Sequence, residues 1–72
     1  MENFHKACQL IIDHSDKKAV NWAVNYAKHG LTTTNEHDAN WAALYILNNI
    51  QYWRGEVAKD VRMLLKKFTG IK

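Results

Sequence analysis

The sequence predicts an all-α fold, a small up-down bundle of three to four helices making one helical domain over residues 1–72. Three observations support this. Apolar residues recur at i, i+3 and i+4 in successive segments. No run alternates with the period of two that marks a strand. Pro is absent, and the three glycines, Gly30, Gly55 and Gly70, are far apart, each where a helix could stop in a left-handed residue.

The first helix is expected from about Glu2 to His14. Phe4, Cys8, Ile11 and Ile12 make its apolar stripe, widened by Ala7 and Leu10. Ser15 or Asp16 looks like the cap of a second helix running from about Asp16 to His29, with the Asp16 carboxylate against the positive helix end. Val20, Ala23, Val24 and Ala27 share one face of it; Ala19, Trp22 and Tyr26 form a neighbouring aromatic stripe. Gly30 is read as its stop, with Lys28 and His29 in the last turn.

Leu31 to Asn35 then reads as a loop, because Thr32, Thr33 and Thr34 are β-branched, cap-prone residues. Thr34 or Asn35 would cap a third helix that has Glu36 and Asp38 in its first turn. Its inner stripe is Ala39, Ala42, Ala43, Ile46, Leu47, Ile50 and Trp53, ending near Arg54. A break at Gly55 is favoured over a continuous rod to Phe68, which would be long for so small a domain. The last helix is the clearest amphipath. Val57, Val61, Leu64, Leu65 and Phe68 face inward, and Lys59, Asp60, Arg62, Lys66 and Lys67 face outward, up to the stop at Gly70.

Composition narrows the function classes. At 72 residues the chain is near the lower limit for a single hydrophobic core. Its 47% hydrophobic content, with three Trp, three Tyr and two Phe, is that of a globular domain, not a disordered one. One cysteine, Cys8, cannot form an internal disulfide, so a reducing cytoplasm is the expected setting. The start Met1-Glu2-Asn3-Phe4 lacks the basic stretch and apolar run of a secretory leader. No window approaches the roughly 20 apolar residues of a membrane span. The net charge of +3 is compatible with a polyanionic partner without requiring one.

Several groupings resemble chemistry but fail on spacing. Asp13-His14-Ser15-Asp16 places three triad residue types side by side, yet a working triad converges from separate elements beside an oxyanion hole. A helix end followed by a cap explains the same residues. The four histidines, His5, His14, His29 and His37, contain no His-x-x-x-His pair. The nearest approach to a metal site, His5 with Cys8, is better read as an edge residue beside a buried structural thiol. No Gly-rich phosphate loop is present. No catalytic residue, metal ligand or cofactor is expected.

A helix-turn-helix across Gly30 is disfavoured. Its turn would be too long, Tyr26 occupies the place of a small residue, and Glu36 and Asp38 would meet phosphate. The better basic surface is the last helix, where Lys59, Arg62 and Lys66 share a face, with Arg54, Lys67 and Lys72 nearby. Such a face would bind nucleic acid without sequence preference. It also reads as an ordinary solvated exterior.

The segment Tyr45 to Gly55 is the hardest to explain by packing alone. Ile46, Leu47, Ile50 and Trp53 take one side of the helix, while Trp41, Tyr45 and Tyr52 spread to others. Tyr45 fits a central helix packed on two sides. Trp41 and Tyr52 fit equally well as interface anchors with Arg54, since Trp, Tyr and Arg dominate binding hot spots. Trp22 and Tyr26 join them if they lie beside the third helix.

The stretches Asn25-Tyr26-Ala27-Lys28-His29-Gly30-Leu31, Leu44-Tyr45-Ile46-Leu47-Asn48-Asn49-Ile50-Gln51-Tyr52-Trp53-Arg54-Gly55 and Ala58-Lys59-Asp60-Val61-Arg62 resemble short hypothetical proteins encoded by bacteriophages and prophages. The resemblance covers roughly the last two-thirds of the chain. It implies an accessory protein of a class whose small domains bind and modulate host proteins, and it assigns no catalytic or ligand residue. Its weight on Asn48, Asn49 and Arg54 has an independent physical ground, because polar groups in an aromatic-rich helix need partners.

The leading expectation is therefore a non-catalytic protein-binding module using Trp22, Tyr26, Trp41, Tyr45, Tyr52 and Arg54. Its partner is a host protein or a second copy of the chain. The alternative is a non-specific nucleic-acid binder working through Lys59, Arg62, Lys66 and Lys67.

Overall fold

A computed structural model describes residues 1–70 and contains four α-helices joined by short connections. They are α1 (Glu2–Asp13), α2 (Val24–Thr32), α3 (Glu36–Asn49) and α4 (Glu56–Thr69), with a 3₁₀ segment over Lys18–Ala23 leading into α2. The chain is thus a small all-α bundle. The main packing of α1 is against α2 and α4, and α3 closes the other side against the same two helices. None of these helices is long and apolar enough to cross a membrane.

The interior is built largely from methyl groups. Ala7, Ala23, Ala27, Ala39, Ala42, Ala43 and Ala58 are all buried, and they let helix backbones approach closely. The larger fully buried side chains are Phe4, Ile11, Val20, Ile46, Ile50, Val61, Leu65 and Cys8. Burying each of the large ones stabilises the fold by about 2 kcal/mol. Phe4 also stacks on Phe68 at a centroid distance of 5.2 Å, tying the start of α1 to the end of α4.

The expected stripes of α1 and α4 fall where their spacing placed them. Phe4, Ala7, Cys8 and Ile11 are buried in α1, and Val61 and Leu65 in α4, with Val57, Leu64 and Phe68 partly buried beside them; Ala58, outside the expected stripe, is buried too. Gly55 does break the chain, with φ 110° and ψ 176°, a conformation that side chains oppose. Gly70 closes α4 in the left-handed region at φ 78°. Asn35 is the cap of α3, its Oδ1 accepting from the His37 N–H at 2.9 Å and the Asp38 N–H at 3.2 Å.

Four details differ from expectation. Neither Ser15 nor Asp16 caps a helix. The chain after α1 turns on backbone hydrogen bonds, then winds as 3₁₀ from Lys18, with no side-chain cap at Lys17. Second, Gly30 does not end α2. It is a buried helical residue, and the helix continues to Thr32. A Cβ there would lie 2.7 Å from both Cys8 Sγ and Phe4 Cζ, so glycine is needed for the contact with α1. Third, the loop is shorter than Leu31–Asn35, because the Thr32 and Thr33 hydroxyls donate to the His29 carbonyl at 2.9 and 3.1 Å and support the helix end. Fourth, α3 stops at Asn49, not near Arg54. Trp53 belongs to the following turn, its N–H donating to the Ile50 carbonyl at 3.0 Å, and its ring is buried within 6.0 Å of His14.

Candidate functional site

With so many small residues inside, the large rings are left outside. Of the six Trp and Tyr side chains, only Trp53 is buried. The face of α3 that meets the core carries Ala39, Ala42, Ala43 and Ile46. Helical spacing then turns Trp41, Leu44, Tyr45 and Asn48 to solvent.

Three of the six candidate protein-binding residues come together there. Tyr26 of α2 stacks on Tyr45 of α3 with centroids 5.6 Å apart and an interplanar angle of 11°. Trp41 lies 6.3 Å from Tyr45 at 32°, and His37 meets Trp41 edge-on at 6.4 Å. The Trp41 indole Nε1–H donates to His37 Nε2 at 3.2 Å, a contact that needs the neutral ring with its proton on Nδ1. The result is an ordered ladder, Tyr26–Tyr45–Trp41–His37, in which Trp41 and Tyr45 remain about half exposed. Trp41, Leu44, Tyr45 and Asn48 line a shallow open groove of about 240 Å³.

The other three stand elsewhere. Trp22 projects from the 3₁₀ segment and is 79% exposed, and Tyr52 is 81% exposed in the turn after α3. Among the described residues neither ring packs on another aromatic. Arg54 is exposed in that same turn. Asn48 finds a local partner, since Gln51 Nε2 donates to its backbone carbonyl at 2.9 Å and its Oδ1 at 3.2 Å.

The basic candidates divide as well. Lys59, Lys66 and Lys67 are exposed and, with Met63 and Arg62, line an open depression of about 360 Å³ on α4. Arg62 is half-buried and has structural work. Its Nη1 donates to the Trp53 carbonyl at 2.8 Å and approaches the Ile50 carbonyl at 3.4 Å. Lys72 lies outside the described residues. A third depression of about 500 Å³ runs between α3 and α4, lined by Leu44, Leu47, Asn48, Gln51, Arg62 and Lys66.

The groupings set aside for chemistry are absorbed locally. His14 Nδ1 donates to the Leu10 carbonyl at 2.8 Å, and Gln9 donates to Asp13 at 2.9 Å. His5 Nε2 donates to the Thr33 carbonyl at 3.0 Å, joining α1 to the α2–α3 loop. Cys8 is fully buried against Gly30, and burial pushes its thiol up to about 12. Among the described residues no three His, Cys, Asp or Glu side chains gather as a metal set would require.

Sequence reasoning missed Leu44 and Met63 as surface residues and Arg62 as a helix-end donor. The outward register of Leu44 beside Trp41 and Tyr45 was the available signal for the first. No protein family, curated protein or solved structure matches this chain.

Proposed function

We propose that this chain is a non-catalytic protein-binding module, and that the Tyr26–Tyr45–Trp41 ladder on α2 and α3 is its contact surface. In this reading it is an accessory protein of the phage-encoded kind its sequence resembles, acting on a host protein in the bacterial cytoplasm or on a second copy of itself. The carrying observation is the exposure of Trp41 and Tyr45 as neighbours in one ordered array. Rings held by one another lose little freedom when a partner covers them, which favours their use as anchors.

The test is to replace Trp41 and Tyr45 with Ala and Ser. Self-association by sedimentation velocity, or retention of a protein from host lysate, should fall while the helical circular dichroism stays unchanged. Association at the original level in a folded variant overturns the proposal.

A second reading rests on the three exposed lysines lining the α4 depression, Lys59, Lys66 and Lys67, with Arg62 adding charge behind them. These would bind nucleic acid through phosphates, with affinity falling steeply as salt rises. Absence of a gel shift at low ionic strength removes this reading.

A further inference from the structure

We infer that α3 and α4 together receive an acidic amphipathic helix of a partner protein, its apolar side chains against Trp41, Tyr45 and Leu44 and its carboxylates toward Lys59, Lys66 and Lys67. This rests on the protein-binding reading above and names the chemistry of the partner.

The three surface depressions are not separate. The aromatic groove and the α3–α4 depression share Leu44 and Asn48, and the α3–α4 depression shares Arg62 and Lys66 with the basic one. They form one track, aromatic at the α3 end, aliphatic at Leu44 and Leu47, and cationic along α4. The carboxylates of the same two helices, Glu36, Asp38, Glu56 and Asp60, line none of it. A surface with four cations and no anion along its wall selects a partner of opposite charge.

The middle of the track decides between classes of polyanion. A single strand of nucleic acid stacks its bases on ring faces. Here one face of Tyr45 is already covered by Tyr26 at 5.6 Å, and the stretch between the rings and the cations carries Leu44 and Leu47, edged by Asn48 and Gln51. Such leucines suit leucine-like side chains, which an amphipathic helix presents every three or four residues. Two helices side by side also offer a groove into which the ridges of a third can fit. The longest dimension of the molecule is 28 Å. That corresponds to roughly 18 residues of helix at 1.5 Å per residue, which bounds the segment it could hold.

The test uses the intact chain as bait for a display library of random peptides about 16 residues long, with a short oligothymidylate as competitor. Enriched peptides should carry an excess of Asp and Glu with large apolar residues at helical spacing. The strongest synthetic peptide should bind at least about tenfold more weakly to Lys59→Glu/Lys66→Glu and to Trp41→Ala/Tyr45→Ser, both retaining native circular dichroism. Enriched peptides without an acidic excess, bound equally by the charge-reversed variant, overturn this inference. If such peptides still need Trp41 and Tyr45, the protein-binding reading survives alone. Loss of sensitivity to both variants defeats the two together. Preferential binding of the oligothymidylate, with displacement of the peptides, assigns the track to single-stranded nucleic acid and overturns the inference.

Discussion

Arg62 of α4 reaches back across the preceding turn to donate from Nη1 to the Trp53 carbonyl at 2.8 Å, with the Ile50 carbonyl 3.4 Å away. Ile50 caps α3 and Trp53 lies in the turn beyond it, so the guanidinium bonds carbonyls just past the helix and sits near its negative end. One side chain thereby links the end of α3 to α4 and holds the turn that buries Trp53.

Arg62→Ala should therefore destabilise the fold by about 2 kcal/mol, the range for a charge-assisted hydrogen bond. Arg62→Lys should restore only part of it, because an ammonium is a point charge without the planar fork. Lys67→Ala, on the exposed side of the same helix, should stay within about 0.5 kcal/mol of the parent. Urea denaturation followed by circular dichroism measures all three.

Gly30→Ala inverts the usual rule for helices. In an open helix the change stabilises by about 1 kcal/mol. Here the new methyl would meet Cys8 Sγ and Phe4 Cζ at 2.7 Å, and Phe4 is itself stacked on Phe68. Net destabilisation of about 1–3 kcal/mol is expected. The same change made on a Cys8→Ala background should cost less, since one of the two obstructing atoms is gone. A double-mutant cycle in thermal unfolding reads the coupling.

The buried Cys8 thiol sets an alkaline limit. Its folded value of about 12 lies above the 9.0 of the free thiol, and the cause is burial. Above pH 9 the unfolded chain loses this proton while the folded chain keeps it, so the unfolded state gains. Stability linked to Cys8 is complete below pH 9 and is lost as pH rises from there toward 12. Cys8→Ala should remove this component of the alkaline decline in denaturation midpoints. At pH 8 the native thiol should react with an aromatic disulfide reagent far more slowly than the urea-unfolded chain does.

Gly55 and Gly70 should respond differently to substitution. At φ 110° and ψ 176° Gly55 occupies a region almost closed to side chains, though nothing lies within 4 Å of its would-be Cβ. Gly55→Ala and Gly55→Asn should both cost about 1–3 kcal/mol through backbone strain alone. Gly70, at φ 78° and ψ 11°, sits where Asn is tolerated, and Gly70→Asn should be nearly neutral. Equal losses at both sites would contradict the conformational account.

Periodicity carried the parts of the fold that depend on one helix at a time. The Phe4, Cys8 and Ile11 stripe, the Val61 and Leu65 stripe, a cap at Thr34 or Asn35 and the break at Gly55 could be read locally, because each depends on neighbours within a few residues. What could not be read depends on contacts between segments. Gly30 has the same local signature whether it ends a helix or admits another one, and only the position of Phe4 and Cys8 decides. The 3₁₀ winding of Lys18–Ala23 keeps Val20 and Ala23 buried as an α-helix would, so the apolar pattern is silent on pitch. Trp53 looked like the end of a helical stripe because its burial was right while its element was not. The surplus of rings was legible, but the meeting of Tyr26 with Tyr45 joins positions far apart in the chain, and the separation of Trp22 and Tyr52 from them has no sequence signal.

The alanine-built interior has a bearing on how this chain can vary. Among the described residues, seven of the sixteen buried apolar positions already hold the smallest side chain that still favours a helix. Change at those sites can proceed only by enlargement or by loss to glycine, and either pushes neighbouring backbones apart or loosens them. Tolerance to substitution should accordingly be concentrated on the exterior, where α3 and α4 can exchange one set of side chains for another over an unaltered scaffold.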